Sequence, residues 1–246
     1  LSKLNILNKI IIKKYNQKSP KIILNDIKKI KPDHIYYFSG QSSVGKSFSK
    51  PIETYQSNIN LLFLILELIR VNKLNKIKVY NSSSTDCFGE GKKIFKNEKD
   101  LFFPHSPYGN SKSFSFWLTK YYRENYKLNS KSGILSNHES PLRKKNFVLK
   151  RIIDFVKKRK GNTTLKLGNI LIYRDWGWAP EYVEAIYKIN NSKFKKDYIV
   201  GTGKIVSLKY IVNKIFKLSN INKKYYNANN SKFLRLNEIK KIGTDP

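Results

Sequence analysis

Short apolar runs and helix-length segments take turns along this chain. His34 to Phe38 and Ile77 to Ser83 read as buried strands. Ile52 to Asn72 and Tyr108 to Tyr126 read as long helices between and after them. Helices of crossover length between strands predict a mainly parallel sheet covered on both faces. Further segments extend the pattern: Ile6 to Lys13 as a first strand, and a helix opened by Pro20 with Ile22, Ile23, Ile27 and Ile30 on its apolar face. Ser132 to Leu135, Thr164 to Leu167 and Tyr198 to Val200 read as strands. Asn146 to Arg159, about Ala179 to Ile189, and Ser207 to Leu218 read as helices, the last capped by Ser207. Gly89 to Pro107 reads as a loop, and the tail from Asn220 is polar, with Asn220 to Asn230 as a disordered stretch.

The chemistry-bearing residues fall where such a sheet binds ligands. Ser84 and Asp86 follow the apolar run Ile77-Lys78-Val79-Tyr80, at the C-terminal end of a strand. Tyr108 and Lys112 open the next helix and stand four apart, so they share a face. An ammonium beside a phenol favours the phenolate and lets it trade protons nearer neutral pH. Hydroxyl, carboxylate, phenol and amine would meet in the crevice outside the strand ends. Taken alone, Y-x-x-x-K also arises by chance in a chain with 16 Tyr and so many Lys.

Composition narrows the alternatives. With 246 residues and 40% hydrophobic content the chain can bury a core, as one large α/β domain or a domain plus a small lobe. The most apolar helix, Ile59 to Ile69, is too short to span a bilayer and carries Asn60 and Glu67. No signal-peptide pattern is visible, and one cysteine, Cys87, excludes an internal disulfide and a cysteine-based metal site. A reducing cytoplasm fits. The net charge of +32 raises nucleic-acid binding as a function. Only seven of the 49 Lys and Arg are Arg, however, and the Lys are spread along the chain with abundant Asn and Ile. Groove readers lean on Arg. Composition bias therefore explains the charge, and weak, salt-sensitive polyanion binding is the expected consequence.

The order strand, S-S-T-D, Gly89, loop, S-P-Y-x-x-x-K, long helix resembles the extended short-chain dehydrogenase/reductases. Within that superfamily the chain is similar to the GDP-mannose 4,6-dehydratase family over about Ile10 to Pro246. The carriers are Gln41-Ser42, Ser106-Pro107-Tyr108-x-x-x-Lys112, Tyr122-Arg123-Glu124, Asn137-His138-Glu139-Ser140-Pro141, Leu167-Gly168-Asn169, Arg174-Asp175-Trp176-Gly177 and Gly243-x-Asp245-Pro246. The resemblance implies a Rossmann-like α/β fold. It divides the chain into a partial NADP-binding domain, residues 1–136, and a GDP-sugar lobe, residues 137–246, interleaved with the last sheet elements. No G-x-x-G-x-x-G stands before Ile6, so the first β-α-β unit is expected to be missing and the chain to be cut at both ends.

The implied reaction is NADP-dependent dehydration of GDP-mannose to GDP-4-keto-6-deoxymannose, in a homo-oligomer of two or four chains. Tyr108 matches the family's base at the C4 hydroxyl, and Lys112 the residue that lowers its pKa and holds the nicotinamide ribose. Ser84 stands where the family has Thr, and Asp86 where it has the Glu that works at C5 and C6; Asp is one methylene shorter. Phe38, Ser39, Gly40, Gln41 and Ser42 match the turn that lines the dinucleotide, Asn16 and Gln17 a pair beside the adenine, and His138 and Arg143 further NADP contacts. Asn137, Arg151, Arg174, Arg235 and Glu238 match the GDP-sugar site. Local alternatives stand beside these roles. Asn137 and His138 would satisfy a turn, Asp175 would cap the next helix, Arg151 would be a solvated face residue, and Trp117, Trp176 and Trp178 would be core. Other enzymes of the superfamily, an inactive fragment and a basic nucleic-acid binder are the rival functions.

Overall fold

The computed structural model describes residues 9–12, 19–89, 96–158 and 165–220, and the backbone of 226–228. These residues fall into two compact units, Leu1–Ile134 with Ile186–Ile199, and Leu135–Ala185 with Val200–Pro246.

In the first unit, α1 (Pro20–Ile30) starts with proline at its first turn and ends on Lys31 in the left-handed region, whose N–H caps the Ile27 carbonyl. Strand β1 (His34–Tyr37) follows, then a short helix α2 (Val44–Ser49) and the long α3 (Pro51–Val71). Strand β2 (Lys78–Ser84) runs parallel to β1, with His34 opposite Lys78 and Tyr37 opposite Asn81. A 3₁₀ turn, Thr85–Phe88, leads into the loop before α4 (Pro107–Tyr126) and β3 (Asn129–Leu135). With β7 (Tyr198–Val200) these strands form a sheet of order β1-β2-β3-β7. Ile23, Ile27, Leu62, Leu66, Ile69, Val79 and Leu128 make the apolar core between sheet and helices. On another side Phe88, Phe116 and Ile134 enclose Phe102 of the loop, which makes edge-on contacts with Phe88 and Phe116. Arg123 of α4 forms a buried two-pronged pair with Asp197, whose carboxylate also accepts from the Ser132 amide.

The second unit is built on β4 (Asn137–Glu139), β6 (Tyr173–Trp178) and β8 (Ile205–Ser207), with β6 in the middle, parallel to β4 and antiparallel to β8. Helices α5 (Val148–Lys158) and α7 (Leu208–Leu218) share a core of Leu149, Ile152, Leu165, Leu167, Val212 and Phe216. Ser207 caps α7 by accepting from the Tyr210 amide at 3.1 Å. Strand β5 (Leu165–Leu167) pairs in parallel with β9 (Tyr226–Ala228). Helix α6 (Ala179–Asn191) follows β6.

Several expectations are corrected. Of the strand expected at Ile6 to Lys13, only residues 9–12 are described. They are irregular and leave Ile11 84% exposed, because no described strand offers them a ladder. Ile22 and Ile30 lie at the exposed margins of α1, which buries only Ile23 and Ile27. Asn137 and His138, for which a turn is the local alternative, and Arg174 to Trp176, expected only to precede a helix, lie in strands that exist through their ladder hydrogen bonds. Tyr226–Ala228, inside the stretch read as disordered, is a strand. Trp117 and Trp178 are about half exposed, although Trp117 meets the core residue Phe116 edge-on, and Trp176 packs against the core of the second unit. Among the described residues no helix is long and apolar enough to cross a membrane, and no His, Cys, Asp and Glu cluster could hold a metal ion.

Candidate functional site

The first unit brings four of the expected residues to one place. Strand β2 delivers Ser84 at its C-terminal end, and the 3₁₀ turn bends Asp86 back over it. The Ser84 hydroxyl accepts from the Asp86 amide at 3.2 Å and donates to Asp86 Oδ2 at 3.1 Å. Helix α4 begins directly on this turn. Ser106 caps it by accepting from the Gly109 amide at 3.0 Å. A Cβ on Gly109 would come within 2.6 Å of the Asp86 carbonyl, so glycine is what lets helix and turn approach so closely. The first turn of α4 thus carries Tyr108, buried, beside the turn that carries Asp86.

Lys112 lies one helical turn further on and is buried. Its ammonium donates to the Ser82 carbonyl at 2.9 Å and sits 6.0 Å from the Tyr108 ring centre. Burial lowers its pKa to about 8, against a smaller opposing pull from the Cys87 thiol. Burial also pushes the Cys87 thiol up, despite hydrogen bonds that favour the thiolate. A lysine poised near 8 beside a buried phenol is a group that can exchange protons close to neutral pH.

The turn after β1 adjoins this cluster through a residue that sequence reasoning missed. Asn58, fully buried on α3, donates to the Gln41 carbonyl at 3.1 Å and to the Ser111 hydroxyl at 3.0 Å; Ser111 in turn donates to the Tyr108 carbonyl at 2.7 Å. One amide therefore joins the turn Phe38–Ser42 to the helix of Tyr108 and Lys112. Gly40 has φ +121°, and a Cβ there would meet Asn58 Oδ1 at 1.9 Å. Gln41 is held by Ser57, Thr54 and the backbone of Ser43. Phe38 is largely exposed at the strand end and tilts against Tyr80 at 5.9 Å. The available signal for Asn58 was a polar residue in register with the apolar positions Leu62, Ile65 and Ile69 of the same helix.

The second unit holds the other described candidates. Asn137 pairs with Trp176 and His138 with Gly177 across the β4–β6 ladder. His138 stacks on Tyr182 at 4.8 Å, and its Nδ1 lies 2.9 Å from the Ser136 carbonyl, which marks Nδ1 as the protonated nitrogen. Its pKa is lowered by burial, with the Ser136 carbonyl opposing. Tyr182 also bonds the Ser136 hydroxyl, and its ring fills the space beside Gly177, where a Cβ would stand 2.2 Å away. Arg143 lies 3.6 Å over the Phe147 ring and 3.3 Å from Glu139, whose carboxyl is raised by burial. Arg174 and Arg151 are exposed; Arg174 donates to the Tyr173 carbonyl, and Arg151 to that of Lys166 at 2.9 Å. Asp175 caps no helix: it binds the Thr202 hydroxyl and the Gly203 amide. Asn16, Gln17, Arg235 and Glu238 lie outside the described residues.

Comparison with known proteins gives this geometry a context. A family model described as GDP-mannose 4,6 dehydratase matches residues 6–244. GDP-mannose 4,6 dehydratase 2 of Caenorhabditis elegans is 35% identical over 193 residues, which is 77% of this chain and 50% of that protein. GDP-mannose 4,6 dehydratase of Drosophila melanogaster is 36% identical over 194 residues, 78% of this chain and 49% of that protein. The chain spans about half the length of the curated relatives it matches. The crystal structure of the DesIV double mutant, a dTDP-glucose 4,6-dehydratase from Streptomyces venezuelae with NAD and DAU bound, superposes with a TM-score of 0.80 over 94% of this chain and 73% of that one. At 15% identity that likeness is one of fold: a Rossmann-like α/β sheet with its helices.

Proposed function

The chain belongs to the GDP-mannose 4,6 dehydratase family, and from that membership we propose that it removes water from GDP-mannose to give GDP-4-keto-6-deoxymannose. The observation that carries the reading is the meeting of Ser84 and Asp86 with Tyr108 and Lys112 where β2 ends and α4 begins. The relatives named for this reaction support the substrate.

The donor set fits a nicotinamide dinucleotide. A buried ammonium and a phenol would face the nicotinamide ribose, while the turn Phe38–Ser42, braced by Asn58, would run along the dinucleotide. NADP is the form this reading takes, with His138 and Arg143 as further contacts. The solved dehydratase of the same fold binds NAD, which supports the cofactor class. When bound, the nicotinamide would supply reversible hydride transfer, with C4 of the sugar as donor and C6 as acceptor, so the net reaction would be loss of water.

The chain's own residues would handle the protons. Tyr108 takes the C4 hydroxyl proton, aided by the charge of Lys112. Once C4 is a ketone, the C5 proton is acidic, and Asp86 removes it. The same proton leaves with the C6 hydroxyl as water; when hydride reaches C6, C5 takes a proton from solvent, and Tyr108 returns to solvent the proton it took from the C4 hydroxyl. Ser84, bonded to Asp86 Oδ2, orients that carboxylate. Asn137, Arg151 and Arg174, with Arg235 and Glu238, would hold the GDP-sugar, since guanidinium forks suit phosphate oxygens. The shorter Asp86 favours a second reading, an enzyme of the same superfamily that oxidises C4 and then follows another course, such as epimerisation. The same family reading makes the protein a homo-oligomer, dimer or tetramer, which light scattering would measure.

Incubation with NADP and GDP-mannose, followed by mass spectrometry, tests the proposal. A product lighter by one water supports it. GDP-mannose recovered intact from protein that demonstrably binds NADP overturns it, and a product of unchanged mass but altered stereochemistry supports the second reading instead.

A further inference from the structure

In the loop before α4, Phe102 turns inward between exposed neighbours. Leu101 is 88% and Phe103 69% exposed, while the Phe102 ring packs against the cluster of Phe88, Phe116 and Ile134. It meets Phe88 edge-on at 5.1 Å, Phe116 at 4.8 Å and Trp117 at 5.8 Å. The loop around it is tied down on either side. The Phe103 amide donates to the Cys87 carbonyl at 3.0 Å, and Glu98 Oε1 accepts from the Ile199 amide of β7 at 2.9 Å. Gly89 has φ +61°, and a Cβ there would collide with the Phe103 carbonyl oxygen, so the loop lies directly on the end of the 3₁₀ turn.

The two surfaces that this ring touches carry the two groups proposed to move protons. Phe88 closes the 3₁₀ turn on which Asp86 stands. Phe116 lies two helical turns beyond Tyr108, on the face that Tyr108 and Lys112 share. Turn and helix approach directly where Gly109 faces the Asp86 carbonyl. Together with the Phe102 ring, that approach fixes the turn against the helix. A close-packed interior transmits the size of such a ring, because its neighbours relax only partly into a gap.

We propose that Phe102 is a positioning residue for the dehydration step, its ring setting how far the Asp86 carboxylate stands from the Tyr108 phenol. This rests on the dehydratase reading above. Proton removal at C5 needs Asp86, on the turn, to reach a sugar held against Tyr108, on the helix, so it depends on that separation. Oxidation at C4 depends on Tyr108 and Lys112, which stand one turn apart on a single helix and keep their spacing when the turn shifts. The short side chain of Asp86 leaves little reach to make good a displaced backbone.

Single-turnover mixing of the whole chain with NADP and GDP-mannose in deuterated water reads both steps, as reduced nicotinamide formed and deuterium gained at C5. Thermal melts show each variant folded. Phe102→Leu should form reduced nicotinamide near the wild-type rate and lose C5 exchange on the order of tenfold or more. Adding Asp86→Glu to Phe102→Leu should restore the exchange, since the longer side chain spans the gap; a general loss of stability would not respond to it. Should Phe102→Leu fail to fold, Phe102→Met carries the same comparison. Leu101→Ser, altered at an exposed neighbour, should behave like the wild type, and a matching loss there overturns the role of the ring. Wild-type exchange in Phe102→Leu, or equal loss of both steps with no rescue by Asp86→Glu, overturns the inference and leaves the proposed function standing. A wild-type chain that binds NADP but forms no reduced nicotinamide with GDP-mannose overturns the proposed function and this inference with it.

Discussion

Asn58 Nδ2 donates to Ser111 Oγ at 3.0 Å, bridging α3 and α4 in the buried interior, and reaches the Gln41 carbonyl at 3.1 Å as well. A single side chain thereby couples the turn proposed for the dinucleotide to the helix proposed for catalysis. Asn58→Ala removes both bonds and leaves the Ser111 hydroxyl and Gln41 carbonyl short of a donor. It should lower unfolding stability by about 2–4 kcal/mol, read from denaturant midpoints at constant m-value. Ser111→Ala, which leaves the Gln41 contact in place, should cost less. Equal losses in the two variants would mean that the Gln41 bond adds nothing.

The low pKa of Lys112 makes stability depend on alkaline pH. In the unfolded chain this amine titrates near 10.5, whereas in the folded protein it titrates at about 8. Between those values the unfolded state holds a proton that the folded state has released. Stability contributed through this group is therefore lowest below pH 8 and rises up to about 10.5, by about 1.4 kcal/mol per pH unit at most. Lys112→Met removes that slope. Denaturation of both proteins across pH 7.5 to 10 checks it, and parallel curves would refute a depressed lysine.

Asp86 is proposed as the base at C5, and exchange at that carbon reads its role directly. Asp86→Asn should suppress incorporation of solvent deuterium at C5 and lower turnover by on the order of a hundredfold or more. Asp86→Glu should retain it, since the longer chain still reaches. Undiminished exchange in Asp86→Asn would move the role elsewhere.

Tyr108→Phe tests the step before. Loss of the phenol should lower C4 oxidation on the order of a hundredfold or more, while NADP binding, followed by fluorescence, stays near wild type. Unaltered turnover would remove Tyr108 from the mechanism.

Arg123 and Asp197 form a pair with side chains only 7% and 8% exposed. Removing one partner leaves an uncompensated buried charge. Asp197→Asn should therefore cost about 3–5 kcal/mol, and a double variant with Arg123→Met should cost less than the sum of the two single changes. A strictly additive cycle would show that the two charges do not interact.

Much of the cluster proposed for catalysis is written locally. Ser84 lies at the end of a β-branched and aromatic run, Ser106 and Pro107 start a helix, and Tyr108 and Lys112 share its face by spacing alone. Such relations span a turn of helix or a few strand residues, and short-range rules of capping and periodicity suffice to read them. The three-residue strands β4 and β8 and the six-residue β6 have no such signature. Asn137, Asp175 and Ile205 become strand residues only because other strands offer them hydrogen-bond partners. The same holds for the bonds of Asn58, the ion pair of Arg123 with Asp197, and the hold of Asp175 on Thr202 and Gly203. These join positions far apart along the chain, where no local pattern records the partner. By itself, then, the amino-acid sequence determined the alternation of strands and helices and the local placement of the residues proposed for catalysis. The tertiary structure decided which buried polar groups meet, because a buried donor must be satisfied by whatever acceptor the packing brings to it.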